Sequence, residues 1–154
     1  MSTSLSADVL DQVNRQILAE LVDNPRISMS ALGRRIGMSA PAVSERVQRL
    51  EQTRVITGYT VTLDPDALGY AVTAFVRVKP TPGQIGKIIQ VVATVPEISE
   101  CHRITGEDCF LMKVHATTIR DLERILDQIN LYGQTVTSIV QSSPVPPRQL
   151  PIAR

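Results

Sequence analysis

Aromatic side chains are scarce in this chain of 154 residues: tryptophan is absent, and aromatic content is only 3%. A platform that stacks unpaired RNA bases needs exposed rings, so that function is not expected, and Phe75 and Phe110 read as core residues. Cysteine is equally sparse. Two cysteines are too few for a disulfide scaffold, which agrees with a reducing compartment. Excess charge of one sign is missing as well: the formal net charge is +1, so no global polycation drives binding. No stretch approaches the roughly 20 apolar residues of a membrane span, and the N-terminus lacks a basic region followed by an apolar run. A cytoplasmic protein is expected. No motif supplies a nucleophile with its base or a paired-carboxylate cleft, so an enzyme is not expected either. Hydrophobic content of 43% suffices for a packed core, in one domain or two small ones.

The basic residues that do occur are concentrated. Between Arg26 and Arg54 six arginines face Glu45 and Glu51, a local excess of +4. In the same stretch Ser28 offers an N-cap, with Ile27 and Leu32 placed as a hydrophobic staple. Ala31, Leu32 and Ile36 are the apolar positions of the helix that follows, and Gly37 tolerates the left-handed conformation that ends helices. Ser39 then caps a second helix, with Pro41 in its first turn, where a missing N–H removes no intrahelical bond. Gly33 is small where two helices at a steep angle bring backbones close. Val43, Val47 and Leu50 share one stripe of the second helix. Pro41, Ser44, Glu45, Gln48, Arg49 and Gln52 share the other face, with Arg46 on its shoulder: a hydrogen-bonding set suited to base edges in the major groove. Arg34, Arg35, Arg46, Arg49 and Arg54 can hold phosphates. The competing reading, a merely solvated charged face, is weakened by the position of these charges in a capped helix pair. The segment therefore reads as a helix-turn-helix for double-stranded DNA.

Upstream, Leu10, Val13, Ile17, Leu18 and Leu21 form the stripe of a first helix, with Asp8 and Asp11 at its start and Asn24-Pro25 at its end. Downstream, residues 55–63 read as an extended segment with a turn at Gly58, closed by Asp64-Pro65. From Ala71 the pattern is mixed. Val72 to Lys79 alternates, and Ile85, Ile88, Ile89, Val92 and Val95 are spaced for a helix that Pro96 ends. Residues 98–104 and 109–116 flank the polar loop Thr105 to Asp108 as a hairpin. Thr118 with Asp121 caps a helix whose stripe is Ile119, Leu122, Ile125, Leu126 and Ile129. Residues 136–141 supply a last strand, and the proline-rich tail cannot extend it. The fold class is α+β: a winged-type helix-turn-helix domain over residues 1–63, then a ferredoxin-like βαββαβ sandwich over residues 64–154. Phe75, Val136 and Val140 leave the helix-free face of that sheet apolar, which predicts a homodimer through it. Paired helix-turn-helix units would read two half-sites one helical turn apart. His102, His115, Cys101 and Cys109 invite a zinc reading, but in this hairpin His102 lies opposite Leu111 and Cys101 opposite Met112, on alternating faces. No metal site and no intrachain disulfide are expected.

Leu10-Asp11, Ile17-Leu18, Arg26-Ile27-Ser28, Gly37-Met38-Ser39, Glu45-Arg46-Val47, Arg49-Leu50-Glu51 and Ile56-Thr57-Gly58-Tyr59 together resemble the Lrp/AsnC family of leucine-responsive, or feast/famine, transcription regulators. Glu100-Cys101-His102, Thr105-Gly106 and Phe110-Leu111 with Lys113 continue the likeness over nearly the whole chain. The resemblance implies a nucleoid-associated regulator whose dimers assemble into octamers and respond to an amino acid or related small molecule. It implies an effector pocket between dimers, which maps onto Ile104, Thr105, Gly106, Glu107 and Asp108, with Thr137, Ser138 and Ile139 nearby. A glycine turn can offer N–H groups to a carboxylate while Glu107 or Asp108 receives an ammonium, although an ordinary acidic turn has the same shape. Many members carry a second acid two positions after the first, where this chain has Cys109, so the ligand stays open. The alternative is an architectural protein that wraps or bridges DNA without a physiological effector.

Overall fold

A computed structural model describes residues 9–152, which form two units: the chain up to residue 61 together with residues from 145 onward, and residues 62–144. Asp8, expected at the start of the first helix, lies outside the described residues.

Among the described residues, three capped helices build the first unit. Helix α1 (Gln12–Asp23) begins where the Asp11 carboxylate accepts the Asn14 N–H at 2.7 Å, and it ends at Asn24. The Ser28 hydroxyl accepts the Ala31 N–H at the start of α2 (Met29–Ile36), and Ser39 accepts that of Ala42 at the start of α3 (Ala40–Gln52). Between them Gly37 sits at φ 73°, the left-handed position expected of it. Ile17 and Leu21 from α1, Leu32 from α2, and Val43, Val47 and Leu50 from α3 close one core, joined by Val9 and Ile27. At the end of α3 the chain reverses through Arg54, a non-glycine residue at φ 57°, and the N–H groups of Val55 and Ile56 both reach the Leu50 carbonyl.

Residues 57–64 form no strand, so the wing of a winged-type domain is not built within this chain. An unpaired strand leaves its backbone groups to water and gains nothing from a ladder. Instead the Tyr59 hydroxyl donates to Glu51 at 2.9 Å and ties the segment back to α3.

The second unit opens with a short 3₁₀ turn (Asp66–Leu68), followed by β1 (Val72–Pro80), α4 (Ile85–Thr94), β2 (Ile98–Arg103), β3 (Phe110–Ala116), α5 (Ile119–Asn130) and β4 (Gly133–Ile139). The four strands are antiparallel in the order β2-β3-β1-β4, the ferredoxin-like arrangement the element order predicts. Ala74, Val76 and Val78 of β1 and Phe110, Met112, Val114 and Ala116 of β3 point to one face, where Ile88 of α4 and Leu122, Ile125 and Ile129 of α5 cover them. Two stripe positions fall elsewhere: Ile89 is 48% and Ile119 49% exposed, whereas Val91, outside the expected stripe, packs against the core with Val92 and Leu126.

Strand alternation sends Phe75, Arg77, Leu111, Lys113, Val136 and Ser138 to the opposite, helix-free face. Phe75 is 42% exposed there and is not the core residue its aromatic character suggested; Phe110 is buried. Cys101 pairs with Met112 and His102 with Leu111, as the hairpin register requires. The proline-rich tail adds no strand, and residues from 145 group with the first unit and not with the sheet. Among the described residues no helix is long and apolar enough to cross a membrane.

Candidate nucleic-acid interface and effector loop

A helix pair presents its second helix to DNA only if the turn between the helices is rigid. Two hydrogen bonds lock it, from the N–H groups of Gly37 and Met38 to the Gly33 carbonyl, the latter at 2.8 Å. A Cβ on Gly33 would meet the Met38 carbonyl oxygen at 2.5 Å, so only glycine allows this approach. Beyond the turn, Val43, Val47 and Leu50 anchor α3 on the core, which leaves Pro41, Glu45, Gln48 and Arg49 exposed and Ser44 half-buried on the outer face. Ser39 is exposed at the helix start, where unsatisfied N–H groups favour a phosphate.

The arginines divide into two classes. Arg35 forms an ion pair with Glu20, joining α2 to α1. Arg46 donates through Nη1 to Asp11 Oδ2 at 2.6 Å and to Asn14 Oδ1 at 3.0 Å, joining α3 to α1. Asn14 is buried, and its Nδ2 donates to the Val9 carbonyl, so Arg46 completes a polar group that water cannot reach. Both residues were expected at phosphates; the structure commits them to holding the three helices together. Arg26, Arg34, Arg49 and Arg54 are exposed and carry no ion pair among the described residues, so they are open to a phosphate or a base.

The Asn14 N–H and the Arg46 guanidinium, through both its hydrogen bond and its charge, hold the Asp11 carboxyl below its ordinary value. A depressed folded-state pKa contributes stability above the unfolded value and loses it as pH falls through the folded one. The first unit is therefore expected to weaken as pH drops below about 4, and Asp11→Asn to flatten that dependence in an acid titration followed by circular dichroism. An equally steep acid loss in the variant would contradict the network.

In the second unit the hairpin loop leaves β2 and enters β3 through Ile104 to Cys109, closed by the Ile104 N–H on the Cys109 carbonyl at 2.9 Å. Gly106 lies at φ 115°, a conformation that favours glycine. The acids of the loop are already partnered. Lys79 donates to Glu107 at 2.8 Å, and Arg77 lies 3.6 Å from Asp108. The hydrogen bond and charge of the partner raise the Lys79 pKa and lower that of Glu107. Thr105, Gly106, Glu107 and Asp108 are thus brought together with two cations of β1 that sequence reasoning did not connect to them. Within one chain Thr137, Ser138 and Ile139 do not adjoin the loop: β4 is the far edge of the sheet, separated from β3 by β1, and Ser138 faces the open side while Thr137 and Ile139 face the helices.

Comparison with known proteins agrees with both units. Residues 10–51 match the AsnC-type helix-turn-helix domain, and residues 73–150 match the Lrp/AsnC ligand binding domain. The HTH-type transcriptional regulator LrpC of Bacillus subtilis is 35% identical over 133 residues, covering 86% of this chain and 92% of its own. Its solved structure superposes with a TM-score of 0.82 at 34% identity, over 86% of this chain and 95% of that one. The HTH-type transcriptional regulator LrpA of Mycobacterium tuberculosis is 32% identical, covering 79% of this chain and 82% of its own. A feast or famine regulatory protein of M. tuberculosis solved with L-methionine superposes with a TM-score of 0.85 at 30% identity, over 92% of this chain and 99% of that one. Both units are thus matched along the chain, and it belongs to the Lrp/AsnC family of helix-turn-helix transcriptional regulators.

Proposed function

We propose that the chain binds double-stranded DNA sequence-specifically, with Ser44, Glu45, Gln48 and Arg49 reading bases and Arg34 with the start of α3 at Ser39 and Pro41 holding phosphates. The observation that carries this reading is the outer face of α3: exposed and polar on a helix whose other face is fixed in the core. The open sheet face, with Phe75 and Val136 exposed, is the homodimer surface, and dimers assemble further into octamers. Phe75→Glu is expected to reduce the particle mass in light scattering to that of a single chain with the fold retained; an unchanged mass would remove this face from assembly.

The Ile104 to Asp108 loop is the effector site, completed by another copy, and its ligand is an amino acid. Support comes from the left-handed Gly106, from the two carboxylates beside it, and from the L-methionine held by the M. tuberculosis relative. A thermal-shift screen of the common amino acids, methionine included, is expected to show a saturable rise in melting temperature with at least one, abolished by Gly106→Trp. No response at millimolar levels would favour the second reading, an architectural protein associated with the nucleoid and lacking an effector. One observation favours that alternative: Lys79 and Arg77 already neutralise the two loop acids.

A further inference from the structure

The end of the sheet opposite the hairpin loop carries a cleft that neither DNA binding nor the loop uses. Phe110 pairs with Val78 beside the loop, and Ala116 pairs with Val72 at the far end. At about 3.3 Å per residue those ends are roughly 20 Å apart. The cleft has two compartments. The larger, about 140 Å³, lies between Leu63, Pro65 and Leu68 on one side and Tyr70, Glu97 and His115 on the other. The smaller, about 120 Å³, shares Tyr70 and Glu97 and continues to Thr117, Asp121 and Arg124. One compartment is mostly apolar and the next is ionic, with a carboxylate at the junction.

The rings lining the larger compartment are fixed. The Tyr70 and His115 rings meet edge to face at 6.4 Å, and His115 Nδ1 is held by the Thr73 hydroxyl at 2.9 Å. Burial and the Lys113 charge lower the His115 pKa against the weaker pull of Glu100, which keeps its ring neutral near pH 7. The charges that face the cleft are then Glu97 and Asp121 against Arg124. Asp121 is engaged by the Thr117 and Thr118 hydroxyls, where it closes the cap of α5. Glu97 is not engaged in this way: its ionic neighbour is Arg124 at 3.8 Å, beyond hydrogen-bond distance.

We propose that this cleft binds a small molecule carrying an ammonium head and a short apolar tail, the head at Glu97 and the tail between Leu63, Pro65 and Leu68. The volume suits about six non-hydrogen atoms, since a cavity near 150 Å³ holds a benzene ring. The local excess of one carboxylate selects a cationic head over a simple carboxylic acid. Both apolar amines and apolar amino acids have the required chemistry, and Arg124 gives the latter a place for its own carboxylate. The inference stands apart from the effector role of the hairpin loop.

Titration calorimetry on the intact chain separates the outcomes, with isopentylamine, leucine and isovalerate as probes. One isopentylamine site per chain is expected, with isovalerate at least tenfold weaker, and Glu97→Gln lowers isopentylamine affinity about tenfold. Leu68→Trp, at an exposed position of the 3₁₀ turn, fills the apolar compartment and abolishes binding, whereas Gly106→Trp leaves it unchanged. Leucine is titrated in the Gly106→Trp background, so that binding at the hairpin loop does not enter. Retained leucine affinity there identifies an amino acid as the ligand; loss of leucine with retention of isopentylamine identifies an amine. No heat from isopentylamine at millimolar levels, or binding lost in Gly106→Trp and kept in Leu68→Trp, would overturn the proposal. A Leu68→Trp chain that changes particle mass while binding isopentylamine normally would overturn it too, and would make the cleft an interface between copies.

Discussion

Gly33→Ala is expected to lower the stability of the first unit by about 2 kcal/mol, a fall of roughly 10 °C in its melting transition. The added Cβ would stand 2.5 Å from the Met38 carbonyl oxygen, and neither partner is the flexible end of a side chain. Relief requires the turn to open, yet the N–H groups of Gly37 and Met38 are bonded to the Gly33 carbonyl itself. Opening therefore breaks the lock and tilts α3, so DNA affinity is expected to fall at least tenfold even where the unit stays folded. Gly86→Ala is the control, because nothing lies within 4 Å of a Cβ at that helical position of α4. It should be neutral or stabilise the second unit by up to about 1 kcal/mol. Scanning calorimetry resolves the two units as separate transitions if they unfold independently. A Gly33→Ala protein that melts and binds DNA like the parent would show that the turn is not the rigid joint its geometry describes.

The features that could be read from sequence are those whose cause lies within three or four residues. Ser28, Ser39 and Thr118 each accept the N–H three positions on, because a cap is a local bargain between one side chain and one turn of helix. Gly33 and Gly37 were legible for the same reason. Helix α4 was harder: Ile85, Ile88, Ile89, Val91 and Val92 are apolar nearly all round, so spacing alone does not choose the buried face, and Ile89 came out exposed. Phe75 misled for a related reason. It alternates onto the same face of β1 as Thr73, Arg77 and Lys79, while Ala74, Val76 and Val78 face the covering helices, so its position and not its aromatic character decides its exposure.

The candidate sites show the same limit more sharply. The outer face of α3 follows from helical periodicity, but which arginines remain available depends on partners far away in the chain. Arg35 meets Glu20 across 15 residues, and Arg46 meets Asp11 across 35. Lys79 meets Glu107 across 28, a pairing that needs β1 placed next to β3 before it can be drawn. Arg54 had no signal of its own, since its left-handed conformation occupies a position where glycine would be the usual cue. Charge composition therefore locates the DNA-binding segment and overstates the number of cations it offers.

The account rests on α3 reading bases, and specific DNA binding tests this most directly. A duplex obtained by in vitro selection against the intact protein, and a scrambled duplex of equal length, would be compared by fluorescence anisotropy over a salt series. Gln48→Ala and Arg49→Ala are each expected to lose about 1–3 kcal/mol of the preference for the selected duplex while affinity for the scrambled one changes little. Arg34→Met should weaken both duplexes alike and reduce the salt slope by about one, and Arg46→Met should lower the melting temperature without changing that slope. The result that would contradict the account is equal loss on both duplexes for Gln48→Ala and Arg49→Ala, which would leave α3 a phosphate-binding helix with no part in reading sequence.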